Sequence, residues 1–384
     1  MGLTDRLKTS FKGALKQASA PFWHTDFLPT GIFPVDHALG GGFGYGRVAE
    51  ILGEWSAGKT MVLYYALIEN ARRGGISILG ESEGAFNADF FTALGGNPEQ
   101  LWVFPLDTVE EFFDMVITIC DDQEKEKSQV PVMIGWDGIA ATGTKHLQEV
   151  GMDKIDMSKP NAMNRGCQLI GTRVKKCKIA VVATNQTRER IGNNDSSPHG
   201  PGGKAWPFLS SQRIYMRYDG GTAGSVIWNK DASKEIGRRV RGQIIKNKLA
   251  APFAKFVLPI YVTGGHWHPE FDGVGTALGI DRHQALFENY KEGYITYKNR
   301  PVVKFEGGWY RLDAEVAGES STVNFHKKDW LTVLGKYPQL WGSLDGLKNA
   351  TVGSASELPG DDGDSADGDP GEYSGEDGDP AAQG

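Results

Sequence analysis

Cysteine is scarce in this chain: Cys120, Cys167 and Cys177 are the only three in 384 residues. That is too few for a disulfide framework and fits a reducing compartment. No stretch approaches the roughly 18 unbroken apolar residues of a membrane helix. The opening Met1-Gly2-Leu3-Thr4-Asp5-Arg6 leads into an amphipathic segment and lacks the apolar core of a secretion signal. A cytoplasmic protein without membrane contact is the expectation. Positive charge is also in deficit, with 41 Lys+Arg against 48 Asp+Glu and a net of −7. The deficit is local, however. Gly353 to Gly384 holds ten acidic residues and no Lys or Arg, so Met1 to Val352 carries 41 basic against 38 acidic residues, a net of +3. Whole-chain acidity therefore does not exclude a nucleic-acid partner. From 351 to 384 the chain is mostly Gly, Asp, Ser, Pro and Glu, which cannot bury enough surface to offset ordering entropy, and disorder is expected.

What remains is apolar enough (40% of the chain) for one large domain and a smaller one. Residues 3–18 read as a short helix, with Leu3, Leu7, Phe11, Ala14 and Leu15 at helical spacing. So short a stripe, followed by a loop, suits either its own domain or a neighbouring subunit, and 1–29 is assigned to subunit docking. From 30 to 262, apolar runs alternate with helical segments: Val48–Leu52, Ile76–Leu79, Leu101–Phe104, Val130–Trp136 and Ile179–Thr184. That alternation predicts an α/β fold with a mostly parallel central sheet covered on both faces. Closely spaced later runs (213–218, 225–228, 242–246) predict antiparallel hairpins that extend it. Residues 263–350 read as a small α/β domain, with a helix over 276–290, a hairpin over 295–305 and a Trp/Tyr-rich end.

The strongest local signal is Gly53-Glu54-Trp55-Ser56-Ala57-Gly58-Lys59-Thr60, a complete phosphate loop between a strand and a helix. Its glycines let backbone N–H groups wrap phosphates, Lys59 reaches the β- and γ-phosphates, and the Thr60 hydroxyl ligates Mg²⁺. Val130–Asp137 is an apolar strand ending in a carboxylate, the usual partner for Mg²⁺. Hydrolysis needs a group to activate water, and Glu81 and Glu83 follow the next strand; spacing alone does not separate them. Asn185-Gln186 ends the strand that begins at Ile179, where an amide can sense a γ-phosphate. A long Gly-rich, basic loop follows, with Arg188, Arg190 and Lys204, and loops of that length are functional or disordered. His266, His268 and Asp272 can be imagined around a metal, but one such pair without cysteines reads as surface loop.

These residues together resemble the RecA family of homologous-recombination ATPases, with features nearer its phage UvsX-like members. The resemblance covers roughly 28–310. It runs through Leu28-Pro29-Thr30-Gly31, the phosphate loop and the Asn185-Gln186 pair, and the segment Lys246-Asn247-Lys248-Leu249-Ala250-Ala251-Pro252-Phe253 is its most specific part. It implies a RecA-like P-loop ATPase core that binds ATP and Mg²⁺, with Glu83 as general base and Phe90 against the adenine. It further implies Gln186 as the γ-phosphate sensor, and Lys246 and Lys248 reaching a neighbouring subunit's ATP. Two DNA-binding loops are implied, at about 147–160 and 187–204. In the second, Arg188 and Arg190 would touch DNA phosphates, Ile191 would wedge between nucleotide triplets, and Gly202, Gly203 and Lys204 complete the loop; Phe208 links it to the subunit interface. The implied function is an ATP-dependent recombinase that forms a helical filament on single-stranded DNA and pairs it with homologous duplex DNA. Single-strand-binding and mediator proteins would be its partners, and host cytoplasm its location if phage-encoded. Another RecA-fold motor, such as a ring helicase or a RadA-like ATPase, is the alternative. The absence of a zinc-binding cysteine cluster speaks against RadA, and the Lys246–Phe253 segment against the others. Departures from the family pattern are Glu81-Ser82-Glu83, where Asp-Ala-Glu is more usual, and Gly135-Trp136 before Asp137, where two aliphatics are commoner.

Overall fold

The structure is a computed structural model that describes residues 2–11, 25–150, 158–187, 198–229, 231–264 and 278–341. The expected tail and the His266–Asp272 group lie outside them, as does residue 12 onward of the N-terminal helix, of which α1 (Leu3–Ser10) is described.

A ten-stranded sheet organises the chain. Its strands are β1 (Arg47–Gly53), β2 (Ile76–Glu81), β3 (Leu101–Pro105), β4 (Val132–Asp137), β5 (Ile179–Gln186), β6 (Gln212–Tyr218), β7 (Val226–Trp228), β8 (Glu235–Asn247), β9 (Lys255–Tyr261) and β10 (Gly279–Ile280). The order is β10-β9-β8-β6-β1-β5-β4-β2-β3, with β7 also on β8. Strands β3, β2, β4, β5, β1 and β6 run parallel, and the pairings of β8 with β6, β7 and β9, and of β9 with β10, are antiparallel. The run at 213–218, expected in an antiparallel hairpin, is therefore mixed: parallel to β1 and antiparallel to β8. It reaches β1 by way of the crossover that follows β5, which restores the parallel direction.

Both faces of β4 and β5 are buried, which is why these strands read as continuous apolar runs. Residues alternate between two cores, since successive strand side chains point to opposite faces. Met133, Ala180 and Val182 pack with Leu63 and Leu67 of α2 (Lys59–Arg72). Ile134, Trp136, Val181 and Ala183 pack with Phe112 and Phe113 of α3 (Val109–Glu126) and Met163 and Ile170 of α4 (Ser158–Arg173). The Gly135-Trp136 departure makes sense here. A Cβ on Gly135 would meet Leu63 at 3.1 Å, while Trp136 fills the other face, stacked on Phe112 at 4.0 Å with its indole N–H on Thr142 at 2.9 Å. Volume removed from one side of the sheet is supplied on the other, so β4 keeps its line to Asp137.

A third cluster gathers Phe287 and Tyr290 of α5 (Arg282–Lys291) with Val303, Leu312, Phe325 and Trp330. It abuts β9 through Asn289, whose amide exchanges two hydrogen bonds with the Val257 backbone (3.0 and 2.7 Å). The helix expected over 276–290 starts at Arg282 instead, because the Asp281 side chain caps it by accepting from Gln284 N. The single hairpin expected over 295–305 is two. Lys298 and Asn299, both at positive φ, turn Thr296–Tyr297 back onto Arg300–Pro301, and Val303–Glu306 pairs onward with Trp309–Leu312.

Candidate nucleotide site

Strand β1 is buried from Val48 to Gly53 and delivers the phosphate loop at the C-terminal edge of the parallel strands. Glycine is required at both ends of that loop. A Cβ on Gly53 would lie 2.2 Å from the Met216 carbonyl oxygen, and Gly58 sits at φ +77° with a Cβ that would strike Ile260 at 2.4 Å. Helix α2 begins at Lys59, so its N-terminal N–H groups and dipole face the loop. Lys59 Nζ donates to the Glu54 carbonyl oxygen at 2.5 Å. Burial draws its pKa down, while Glu83, Asp137 and Glu54 oppose the shift. Trp55 stands 71% exposed on the loop, edge-on to Tyr218.

Opposite the loop, Asp137 ends β4 in register with Glu81. The Thr184 hydroxyl donates to Asp137 Oδ1 at 2.5 Å, and Thr60 also hydrogen-bonds this carboxylate. Burial holds the Asp137 carboxyl above the ordinary range despite those bonds. The two carboxylates that spacing leaves open now separate. Glu81 accepts from the backbone N–H groups of Glu83, Gly84 and Ala85 at 3.0, 3.1 and 3.1 Å, so it builds the turn. Glu83 is the one presented to the site: burial and the neighbouring Asp137 raise its carboxyl, and the Gln186 side chain beside it works against that rise. Gln186 pairs in register with Gly53, and Thr187 N donates to the Gly53 carbonyl at 3.1 Å, which stitches the sensor position to the phosphate loop. Phe90 lies one step further out. Its ring packs with Tyr64, one turn into α2, at 6.5 Å within a cluster that includes Phe86 and Phe91.

Geometry thus brings together Gly53–Thr60, Asp137, Glu83 and Gln186, with Phe90 behind Tyr64. The donor set suits Mg²⁺-nucleotide: oxygen ligands only at Thr60 and Asp137, an ammonium at Lys59, and a glycine cradle that any Cβ would fill. Lys246 and Lys248 are elsewhere in the same chain. Lys246 Nζ donates to the Pro207 and Phe208 carbonyls at 2.6 and 3.0 Å, and its charged neighbours are Lys248, Arg213 and Glu50. Burial brings its pKa down to about 8.

The loop expected at 147–160 is shorter than that. Residues Lys145–Val150 are helical, with the Thr144 hydroxyl accepting from Leu147 N at 3.0 Å, and α4 already runs from Ser158. Pro160 falls in the first turn of that helix, where proline lacks no needed N–H, and so starts the element instead of ending one. Residues 151–157 lie outside the described residues, as do Arg188, Arg190 and Ile191. Gly202 and Gly203 are at φ +94° and +77°, and Lys204 precedes the short helix Ala205–Leu209 without a side-chain hydrogen bond to its first turn.

One residue escaped the sequence reading. Glu50 is fully buried in β1, paired with Arg213 at 2.6 Å and hydrogen-bonded by Asn185 Nδ2 at 3.0 Å. A lone carboxylate inside Val48-Ala49-Glu50-Ile51-Leu52 was its signal, because a charge in an apolar strand needs a buried partner.

The sheet order, the phosphate loop and the facing carboxylates define a P-loop ATPase of the α/β class. The family model for the RecA N-terminal domain matches residues 8–266. The chain is 30% identical to Protein RecA of Thermus thermophilus over 288 residues, covering 73% of this chain and 81% of that protein. It is 33% identical to Protein RecA of Rhodopirellula baltica over 276 residues (70% of each), and 28% identical to that of Symbiobacterium thermophilum over 311 residues (80% and 79%). The chain belongs to the RecA family, and it is a RecA-type recombinase and DNA-dependent ATPase. The ring-motor alternative is not favoured. Among the described residues, no helix is long and apolar enough to cross a membrane, and no group of three or more His, Cys, Asp or Glu side chains is placed to hold a metal.

Proposed function

We propose that ATP, bound where one subunit's phosphate loop meets the next subunit's Lys246 and Lys248, assembles this chain into a helical filament on single-stranded DNA. The filament then pairs that strand with homologous duplex DNA. Thr60 and Asp137 would hold Mg²⁺, which neutralises charge on the β- and γ-phosphates when bound. Lys59 and the loop N–H groups hold and orient those phosphates. Glu83 takes a proton from the attacking water, and burial, which raises its carboxyl pKa, makes it a stronger base than an exposed glutamate. Gln186 holds the Glu83 side chain and carries the state of the site to the residues after it. Lys246 and Lys248 stabilise developing charge in trans, and Phe90 lies beside the adenine. Arg188, Arg190, Ile191, Gly202, Gly203 and Lys204 form a DNA-binding loop, with a second loop between the helices at 145–150 and 158–173.

The single observation that carries this reading is the Glu83–Gln186 contact, stitched to Gly53 at the foot of the loop. This contact supports a link from the candidate base to a candidate DNA-binding segment that begins one residue after Gln186. The division into 1–29 for docking, 30–262 for the ATPase core, 263–350 for the small domain and 351–384 for the acidic tail belongs to this proposal. So do single-strand-binding and mediator partners, a cytoplasmic location, and a phage-type affinity supported by Trp309-Tyr310 and Asp329-Trp330. The tail, with ten acidic residues and no basic ones, competes with DNA for basic surface, and Mg²⁺ relieves the competition. Strand exchange between circular single-stranded and linear duplex DNA tests the reading. Joint molecules that require ATP are expected, and their absence with ATP binding intact overturns it. Truncation after Val352 should strengthen duplex binding and lower the Mg²⁺ requirement.

A further inference from the structure

Four pieces of this molecule converge around one buried carboxylate, two of them touching it directly. Glu50 is wholly buried in β1, three residues before Gly53, among Val48, Ala49, Ile51 and Leu52. Its Oε2 is 2.6 Å from Arg213 Nε on β6, and its Oε1 accepts from Asn185 Nδ2 at 3.0 Å. Asn185 is itself buried and has no polar atom to spare. The same Nδ2 group donates to the Pro201 carbonyl at 3.2 Å, and Oδ1 accepts the backbone N–H of Gln186 at 3.1 Å. The loop stem is pressed against this pair, since a Cβ on Gly200 would lie 2.5 Å from Asn185 Nδ2 and 2.8 Å from the Gln186 carbonyl oxygen. On the far side, Lys246 has Arg213 and Glu50 as charged neighbours and is bound to the carbonyls of Pro207 and Phe208, just beyond the stem.

A buried ion pair is weak support for stability, because desolvation offsets the attraction and apolar residues of similar volume serve as well. In a strand otherwise made of aliphatics, the charge therefore calls for another role, and its partners supply one. They belong to β6, the sensor strand, the loop stem and the strand carrying Lys246.

We propose that Glu50, Arg213 and Asn185 are positioning residues: they form a buried relay that ties the stem at Gly200–Pro201 to the backbone of Gln186, and so couples single-stranded DNA to hydrolysis at Glu83. This rests on the DNA-binding role proposed for the loop. The relay acts by geometry alone. A stem that shifts takes the Asn185 amide with it, and the amide sets where the Gln186 backbone lies, and hence where its side chain stands beside Glu83.

The test measures ATP turnover of the full chain with and without poly(dT), and reads the ratio of the two rates. Asn185→Ala removes the relay from its centre, and Gly200→Ala pushes the stem off it from outside. Each is expected to lower the stimulation ratio at least tenfold. Glu50→Gln combined with Arg213→Gln, which removes both charges together, is expected to do the same. Thermal melts identify a variant that does not fold; Asn185→Ala and Gly200→Ala act on the same contact from two sides, so either suffices. Ratios that stay at the wild-type value overturn the relay, as does a fall in both rates by the same factor, which is what a purely structural role produces. A wild-type chain that poly(dT) does not stimulate overturns the DNA-binding reading itself and the relay with it.

Discussion

The nucleotide site and the joint between β8 and α5 both bury charge, and they balance it in opposite ways. At the joint, Arg239 Nη2 lies 3.2 Å from Asp219 and 2.7 Å from Glu288, and Arg241 Nη2 lies 2.7 Å from Asp219. Every carboxylate there has a guanidinium in the same chain, and Arg239 counters the upward push of burial on Glu288. At the site, Glu83 and Asp137 are also raised by burial, with neighbouring carboxylates pushing the same way, and among the described residues it is the single ammonium of Lys59 that opposes the rise at both. Charge that is balanced internally holds elements together. Charge left in excess is held for something that arrives, which is the physical meaning of perturbed carboxyls at a functional cleft.

The contrast can be broken most sharply at Glu83. Glu83→Gln should lower ATP turnover by roughly 10²- to 10⁴-fold, the range for loss of a general base, with the melting temperature held or raised. Glu81→Gln, two residues away, should instead weaken the turn by about 1 kcal/mol, read as a lower unfolding midpoint with turnover much less affected. At the joint the signs reverse. Arg239→Met leaves Glu288 buried without its cation and should cost on the order of 3 kcal/mol in urea unfolding, with DNA-independent turnover of the folded fraction retained. Asp137→Asn should do the opposite. Without nucleotide and Mg²⁺ it removes a buried carboxylate held protonation-prone, and it should leave stability unchanged or higher by about 1 kcal/mol. The extra stabilisation by Mg²⁺-ATP, which follows RT ln(1 + [L]/Kd), should shrink in differential scanning calorimetry.

The smallest effect is one of pH. Lys246 is held down to about 8, so it carries its charge below that value and loses it as pH rises through it. If that charge acts on a neighbour's nucleotide, DNA-stimulated turnover falls with a limb centred near pH 8. Lys246→Arg keeps the charge at all such pH values and should remove the limb. A profile unchanged by the substitution would detach Lys246 from the reaction.

Much of the site was legible because its chemistry is local in the chain. Gly53–Thr60 announces itself by spacing, and Asp137 and Gln186 stand at the ends of apolar runs that can only be buried parallel strands. The candidate general base was half legible. Glu81 and Glu83 differ only in what the turn does with them: three backbone N–H groups converge on Glu81 and leave Glu83 facing Lys59 and Gln186. Elements whose ends depend on caps were misplaced: periodicity started the helix before the Asp281 cap of Gln284, and the resemblance ran a loop through the helix whose Leu147 N–H the Thr144 hydroxyl caps. The proline at 160 looked like a loop and was a helix start.

The alternation of short apolar runs and helices, the phosphate loop and the lysines of Lys246–Lys248 are properties of the chain read along its length, and they suffice for the fold class and the family. Which side chains share a charge is not such a property. Glu50, Asn185 and Arg213 are separated by 135 and 28 positions, and only the sheet order, with β6 and β5 on either side of β1, makes them neighbours. A buried carboxylate finds its partner across strands and not along them, so the relay, the balanced joint and the unbalanced site became visible only once the strands were placed side by side.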